Sequence, residues 1–251
     1  VSVCPISVVY ACYNQPLILR HHLDTWGTFP ADLRARLEFV LVDDASAPPL
    51  HVSPVAGLDL KVLRVTQDIV WNYGAKNLAM SQARHPWALL SELDHLLTEE
   101  ACRALLALPR DPRVVYRLRR RNHAEGADPR YSERPHPGTF FLARDTYWSV
   151  GGTDEDFSGH YGYDDIFLAE CLRAAGCSFV LAEDAELRNY SGNHEIADAD
   201  HSLDPAISHD LSRNRELFER KQRQGRMRAA PPILRFPWRA VLESLDAPAA
   251  R

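Results

Sequence analysis

Long apolar runs are missing from the 251-residue chain. Segments such as Phe39-Val40-Leu41-Val42 cover only a few positions, whereas a membrane-spanning helix needs about 20 apolar residues. No basic, apolar, small-residue leader opens the sequence, so neither a membrane span nor export is expected. Cysteine is scarce: Cys4, Cys12, Cys102, Cys171 and Cys177 are five in number and include no Cys-x-x-Cys pair. They are too few to staple a chain of this length, and reduced thiols in a cytoplasmic protein are expected. Positive charge is not in excess either, because 29 Lys and Arg face 34 Asp and Glu for a formal charge of −5. That balance provides no broad cationic surface, and no nucleic-acid partner is expected. Low-complexity stretches and repeats with a period of about 20 to 50 residues are also lacking. What remains is 45% hydrophobic and 25% charged, the composition of a globular domain with a sizeable core.

The first hundred residues alternate short apolar runs with helical patterns. Ile6 to Ala11 is a β-branched run followed by Tyr13-Asn14-Gln15, and Pro16 is placed to start a helix carrying Leu17, Leu19, Leu23 and Trp26. Leu37 to Val42, Lys61 to Val65 and Trp87 to Leu90 read as further strands, with a helix through Ala75, Leu78, Ala79 and Ala83. Apolar strands alternating with helices predict a parallel sheet covered on both faces. Ligands in such sheets sit beyond the carboxyl ends of the strands. Asp43-Asp44 and Glu92-Leu93-Asp94 fall at two of those ends, so both acidic clusters are expected to face one crevice.

The second half changes style. A basic strand, Val114 to Arg121, precedes a loop rich in Pro, Gly and His and then a strand from Thr139 to Ala143. Asp145 is placed to cap a short helix ending at Gly151-Gly152, and Asp164 to Ala175 forms a helix stopped by Gly176. A strand from Ser178 to Ala182, a charged helix from Asp210 to Gln224 and a tail with Pro231-Pro232 complete the chain. The expected organisation is a doubly wound α/β unit over the first 100 residues, a mixed-sheet substrate half after it and an extension beyond Pro205.

Several motifs stand in order. Val8-Val9-Tyr10-Ala11-Cys12-Tyr13-Asn14 is followed by Val42-Asp43-Asp44-Ala45-Ser46, then by Gly74-Ala75-Lys76-Asn77. Val150-Gly151-Gly152-Thr153-Asp154-Glu155 and Gly162-Tyr163-Asp164-Asp165 come next. From Ile6 to Gly176 this order resembles the nucleotide-diphospho-sugar glycosyltransferases of the GT-A fold, particularly the inverting enzymes of family 2. The family's Asp-x-Asp motif stands as Glu92-Leu93-Asp94, with His95 where a further acid is frequent, and Cys171 sits where an Arg is usual.

The resemblance implies an α/β GT-A (Rossmann-like) fold, a mixed, mainly parallel sheet flanked by helices, with 1–100 as the nucleotide-sugar-binding half of a single GT-A domain, 101–204 as the acceptor-binding and catalytic half, and 205–251 as a C-terminal helical extension. It also implies a metal-assisted, inverting hexosyltransferase of polysaccharide biosynthesis. Ala11 and Tyr13 would belong to the nucleotide-contacting loop, Asp44 would take hydrogen bonds from the nucleoside, and Glu92 would hold the ribose. Lys76 would meet phosphate and Asn77 would fix the nearby loop. Asp94 would bind Mn2+ or Mg2+, with His194 as a second ligand and His201 and His209 as rivals. The cation would act as a Lewis acid on the leaving diphosphate. Asp165 would be the base, with Asp164 positioning the acceptor, and His160, Tyr161 and Tyr163 would offer faces on which a sugar ring stacks. The implied partners are a nucleotide-diphospho-sugar, a UDP-sugar as the first choice, and a carbohydrate or glycolipid acceptor. An oligomer is compatible with all of this. The implied location is cytoplasmic, with attachment to the inner membrane face as an option for the tail from Ile233 to Leu245.

Each assignment has a plainer alternative in the residues themselves. Asp43 and Asp44 can cap a turn beside Ser46, and Asp94 can precede the helix opened by Thr98, Glu99 and Glu100. Asp164 and Asp165 can serve only as helix-opening acids. Lysines on amphipathic helices face water, and loop histidines are usually solvated. Arg117, Arg119, Arg120 and Arg121 read as a solvated face, with an anionic acceptor or lipid headgroup as the other option. Two further functions stay open, a non-catalytic nucleotide- or sugar-binding module and a sugar nucleotidyltransferase. The latter calls for a Gly-rich, basic phosphate loop after the first strand, where Tyr13-Asn14-Gln15-Pro16 stands instead. A phosphohydrolase calls for an Asp where Ala11-Cys12-Tyr13 stands.

Overall fold

A computed structural model of the chain describes residues 4–122, 134–190, 195–199 and 208–243. Among them, one nine-stranded sheet runs through both halves in the order β5-β8-β6-β7-β4-β1-β2-β3-β9. Its amino-terminal part consists of β1 (Ile6–Cys12), β2 (Leu37–Asp44), β3 (Asp59–Val65) and β4 (Trp87–Glu92), paired in parallel. Every residue of β2 is buried, as the unbroken apolar run predicts for a central strand covered on both faces.

Alternate residues feed two separate cores, one on each face. Val8, Tyr10, Phe39 and Leu41 pack under α1 (Pro16–Gly27) and α4 (Glu99–Ala107), where the Trp26 ring stacks on Phe39 with centroids 4.3 Å apart. Val9, Val40, Val42 and Leu90 pack on the other face under α3 (Gly74–Gln82), α5 (Arg144–Ser149) and α6 (Asp164–Ala174). Pro16 takes the first position of α1, as expected. A short α2 (Ala31–Arg34) links α1 to β2.

Beyond β4 the sheet becomes mixed. β7 (Phe140–Ala143) lies antiparallel between β4 and β6 (Val114–Asn122), and β8 (Ser178–Asn189) runs parallel to β6. β8 extends past the expected end at Ala182, through a register shift opposite Leu118/Arg119, and pairs with the short β5 (His95–Leu97). The arginines of β6 divide by face. Arg119 and Arg121 are exposed and form ion pairs with Glu183 and Glu186 of β8, while Arg120 is buried with Nε donating to Arg134 O (2.8 Å).

The C-terminal extension contributes α7 (Ser212–Arg223) and also a strand, β9 (Trp238–Glu243), antiparallel to β3 at the sheet edge. The sequence gives no sign of β9 because nearly all its residues are exposed and no alternation marks it. Asp145 lies inside the first turn of α5 and makes no side-chain cap. Among the described residues no helix is long and apolar enough to cross a membrane.

The parallel pairing brings the carboxyl ends of β1, β2 and β4 to one edge, with Ala11 in register with Val42 on one side and Glu92 on the other. Val42 and Glu92 therefore stand two strand widths apart, about 10 Å, with Asp44 two residues further along β2 at the same edge.

Candidate active site

The two acids ending β2 divide between scaffold and crevice. The Asp43 carboxylate accepts from Ser46 N (3.0 Å) and Leu50 N (3.1 Å) and pairs with the Arg64 guanidinium, so all its contacts hold the turn. Asp44 Oδ1 instead accepts from Asn72 Nδ2 (2.8 Å), and Asn72 Oδ1 in turn accepts from Gly74 N (3.1 Å) at the start of α3. Burial pushes the Asp44 carboxyl up to about 7. Ser46 ties the neighbouring β1–α1 loop by accepting from Asn14 N (2.8 Å). Ala11 and Tyr13 are half-buried there.

At the centre lies Lys76, on the first turn of α3. Its Nζ donates to Glu92 Oε1 at 3.0 Å and to Asp164 Oδ2 at 2.9 Å. Burial disfavours the ammonium, but Asp164 and Glu92 outweigh it and hold the lysine charged, well above its ordinary range. Lys76 also lowers Glu92 against the effect of burial, whereas burial wins at Asp164 and raises it. The lysine thus joins the acid ending β4 to the acid opening α6. Gly138 approaches this pair so closely that a Cβ there would lie 2.3 Å from Glu92 Oε1.

Asp165 follows in the first turn of α6, half-buried, with Oδ1 accepting from Ile166 N (2.6 Å). Burial and then the Asp164 charge raise its carboxyl to about 7. The helix begins after Tyr163, whose φ of 69° is left-handed, and no side chain caps it. Arg117 of β6 lies within electrostatic reach of Asp165. Burial lowers the guanidinium to about 10 against the pull of that carboxylate. Arg117 also donates to His136 O and lies over the Phe140 ring, 4.5 Å from its centroid.

The turn after β4 gathers metal-ligating side chains. His95 Nδ1 meets Asp94 Oδ1 at 2.5 Å, and the His95 and His136 rings lie 4.5 Å apart, with ligand atoms of Asp94, His95 and His136 all within 4.8 Å of one another. His95 is fully buried and its Nε2 has no hydrogen-bond partner. A buried lone pair without a donor is costly unless something occupies it. One carboxylate and two imidazoles are a reasonable donor set for Mn2+, and Mg2+ prefers oxygen alone. The group therefore fits a divalent cation. Ligation through His136 Nε2 would require the proton on Nδ1, at the expense of the bond that Gly138 N donates to Nδ1 (3.1 Å). Thr98 caps α4 by accepting from Ala101 N, so Asp94, separated from that helix by β5, does not open it.

The other sequence-predicted residues are placed as follows. Asn77 is fully buried. Its Nδ2 donates to Thr153 O (2.8 Å) and Glu155 Oε1 (2.9 Å), and its Oδ1 accepts from Thr153 N (3.0 Å) and Tyr147 Oη (2.6 Å). It faces the Gly152-Thr153 segment. Tyr161 packs with Trp71 (4.8 Å between centroids) and His209 (4.7 Å). Tyr163 turns to α7, where its ring meets Phe218 (5.3 Å) and its hydroxyl accepts from Arg215 Nε (3.0 Å). His160 is exposed. His194 and His201 lie outside the described residues. Asn72 and His136 had no place in the sequence-based site, because each meets it only through the fold, while Arg117, read from sequence as part of a solvated face or a contact to an anionic acceptor or lipid headgroup, is half-buried within reach of Asp165. A cavity of about 520 Å3 under residues 225–231 shares no residue with the cluster.

No protein-family model and no curated protein matches the chain. Solved structures do. A mannosyltransferase from Pyrobaculum calidifontis, in complex with GDP-Man and Mn2+, is 19% identical with a TM-score of 0.57, covering 77% of this chain and 59% of its own. TarS 1-349 from S. aureus with UDP-GlcNAc is 15% identical with a TM-score of 0.53, covering 76% of this chain and 60% of that one. GalNAc-T7 with UDP, GalNAc and Mn2+ is 13% identical with a TM-score of 0.54, covering 75% and 44%. The chain therefore spans 59%, 60% and 44% of these neighbours' lengths. The fold is GT-A, a mixed α/β arrangement with a large, mainly parallel sheet flanked by helices.

Proposed function

We propose that the chain is a metal-assisted, inverting glycosyltransferase, family 2-like, that moves a sugar from a nucleotide diphosphate to an acceptor hydroxyl. The carrying observation is the continuous acid–base cluster at the carboxyl edge of a GT-A sheet, in which Lys76 joins Glu92 to Asp164 and Asp165 stands next in the chain.

Asp44, steadied by Asn72, accepts hydrogen bonds from the nucleoside, and Glu92 holds the ribose. Lys76, neutralised by two carboxylates, keeps Asp164 in place as the positioner of the acceptor. Asp165 takes the proton of the acceptor hydroxyl as that oxygen bonds to the anomeric carbon. The bond from that carbon to the diphosphate oxygen breaks on the opposite side, its electron pair leaving with the diphosphate, and the anomeric configuration inverts. Asp94, His95 and His136 would hold a divalent cation, Mn2+ favoured over Mg2+, which supplies positive charge beside the diphosphate. The rings of Trp71, Tyr161 and His209 form a platform for a carbohydrate acceptor.

A location on the cytoplasmic side is supported by five free thiols. Attachment to the membrane face is supported by exposed Arg220, Arg223, Arg226 and Arg228 together with exposed Trp238 and Val241. The deciding experiment is transfer from GDP-Man and UDP-GlcNAc, the donors named with the neighbours, in the presence of Mn2+. Turnover with release of the nucleoside diphosphate supports the reading. Donor binding without turnover over a full acceptor panel leaves a binding module.

A further inference from the structure

Asn214, on the C-terminal helix α7, is only 1% exposed. Its Nδ2 donates to three backbone carbonyls, Phe157 O (3.0 Å), His160 O (2.8 Å) and Gly162 O (2.8 Å). An amide nitrogen carries two hydrogens, so one of them is shared. All three carbonyls belong to the segment leading from the 3-10 turn Glu155–Phe157 into α6.

That segment does not favour its own conformation. Gly159, Gly162 and Tyr163 all have positive φ, at 93°, 81° and 69°, and the left-handed state at a residue with a Cβ costs about 1 to 2 kcal/mol. Such backbone persists where its surroundings over-determine it; one side of these surroundings is the segment before α3, where Val70 O accepts from Gly159 N (2.8 Å) and Tyr73 Oη from Gly162 N (2.6 Å), and the other is α7. Beside Asn214, Arg215 Nε donates to Tyr163 Oη (3.0 Å) and the Phe218 ring lies against Tyr163. Leu211 sits so near Gly162 that a Cβ there would come within 2.5 Å of it. The far end of α7 is fixed in turn by Lys221, buried between Asp154 (2.8 Å) and Asp156 (2.7 Å). The next residues after Tyr163 are Asp164 and Asp165.

We propose that Asn214 is a positioning residue for the Asp164-Asp165 pair, so that the C-terminal extension completes the active site from behind. The proposal rests on the transferase reading, since only there does Asp165 act as base. Without the amide, all three carbonyls lose this donor, the loop relaxes at Tyr163, and the start of α6 moves. Asp44, Asn72 and Asp94 stand on other elements and keep their places.

The test compares the full-length parent with Asn214→Ala and Arg215→Ala. It measures kcat for sugar transfer, together with the dissociation constant of whichever nucleoside diphosphate, UDP or GDP, raises the parent's melting temperature. A misplacement of about 1 Å costs about 100-fold in rate, so kcat is expected to fall about 100-fold in Asn214→Ala and a few-fold in Arg215→Ala. Nucleotide affinity should stay within about twofold of the parent. Unchanged kcat, or kcat and affinity falling together, would overturn the proposal in favour of a purely structural amide. Should Asn214→Ala not fold, Arg215→Ala decides alone by the same split, its side chain being exposed. Failure of the transferase reading is recognised separately, because the parent then transfers no sugar before any variant is compared.

Discussion

Lys76 and Asp164 meet at 2.9 Å across 88 residues of sequence, and this contact joins the first turn of α3 to the first turn of α6. Both side chains are nearly enclosed, at 11% and 6% exposure, so neither charge has water to fall back on. The lysine is an internal counter-ion to both carboxylates.

Removing that counter-ion should therefore be severe. Breaking one partner of a buried ion pair costs about 3 to 5 kcal/mol, and Lys76→Met is expected to lose an amount of that order in urea unfolding. The Glu92 end is more exposed and contributes the smaller share. Lys76→Met should also lose transfer activity, with little change in Mn2+ binding.

With Asp165 as the proposed base, its ionisation sets the pH profile. Asp165 is raised to about 7 by burial and by Asp164, and it must be deprotonated to accept a proton. Activity is expected to climb with pH, reaching half its plateau near 7 instead of near the usual carboxylate value. Asp165→Asn should remove about 100- to 10,000-fold of the rate, with nucleotide affinity retained. A variant as active as the parent would rule out this base.

The same carboxyl leaves a signature in stability. Asp44 and Asp165 are both raised from 3.8 to about 7. Between these values each holds a proton in the fold that the unfolded chain has released. Their contribution is complete below about pH 4 and is lost as pH rises through 7. Asp165→Asn, which carries no charge at any pH, should match the parent in melting temperature near about pH 3, where both side chains are neutral in both states, and exceed it near about pH 8. An offset independent of pH would contradict the raised carboxyl.

Metal binding can be measured without turnover. Mn2+ should raise the parent's melting temperature, as any ligand selective for the folded state does, and manganese EPR should report the bound ion directly. His95→Ala and Asp94→Ala should each abolish both effects. His136→Ala should weaken binding, and all three should do so in the absence of nucleotide. Full Mn2+ binding by His95→Ala would remove that ring from the donor set.

Much of the fold was legible because its signals are local. Buried strands are continuous apolar runs, Pro16 opens its helix, and acids end β2 and β4 within a few residues of the runs that place them. The partners of those acids were not legible. Asn72 reaches Asp44 across 28 residues, and His136 meets His95 only because β7 inserts beside β4. Lys76 and Asn77 are adjacent in sequence, yet helical geometry turns one to the crevice and the other to Thr153. The solvent-facing appearance of a lysine on a helix was likewise reversed by two carboxylates from distant elements. Tyr163, grouped by sequence with Tyr161, turns to α7 because its backbone is left-handed at that point.

β9 also shields its neighbour. By pairing along β3 from Val65 to Lys61, it occupies a row of backbone amides and carbonyls that would otherwise invite a strand from another molecule. Shortening the protein before Trp238 would leave the Lys76–Glu92–Asp164 cluster chemically intact while turning that flank into an adhesive seam. Loss of material to aggregates, with normal turnover in whatever stays dispersed, is what such a deletion should produce.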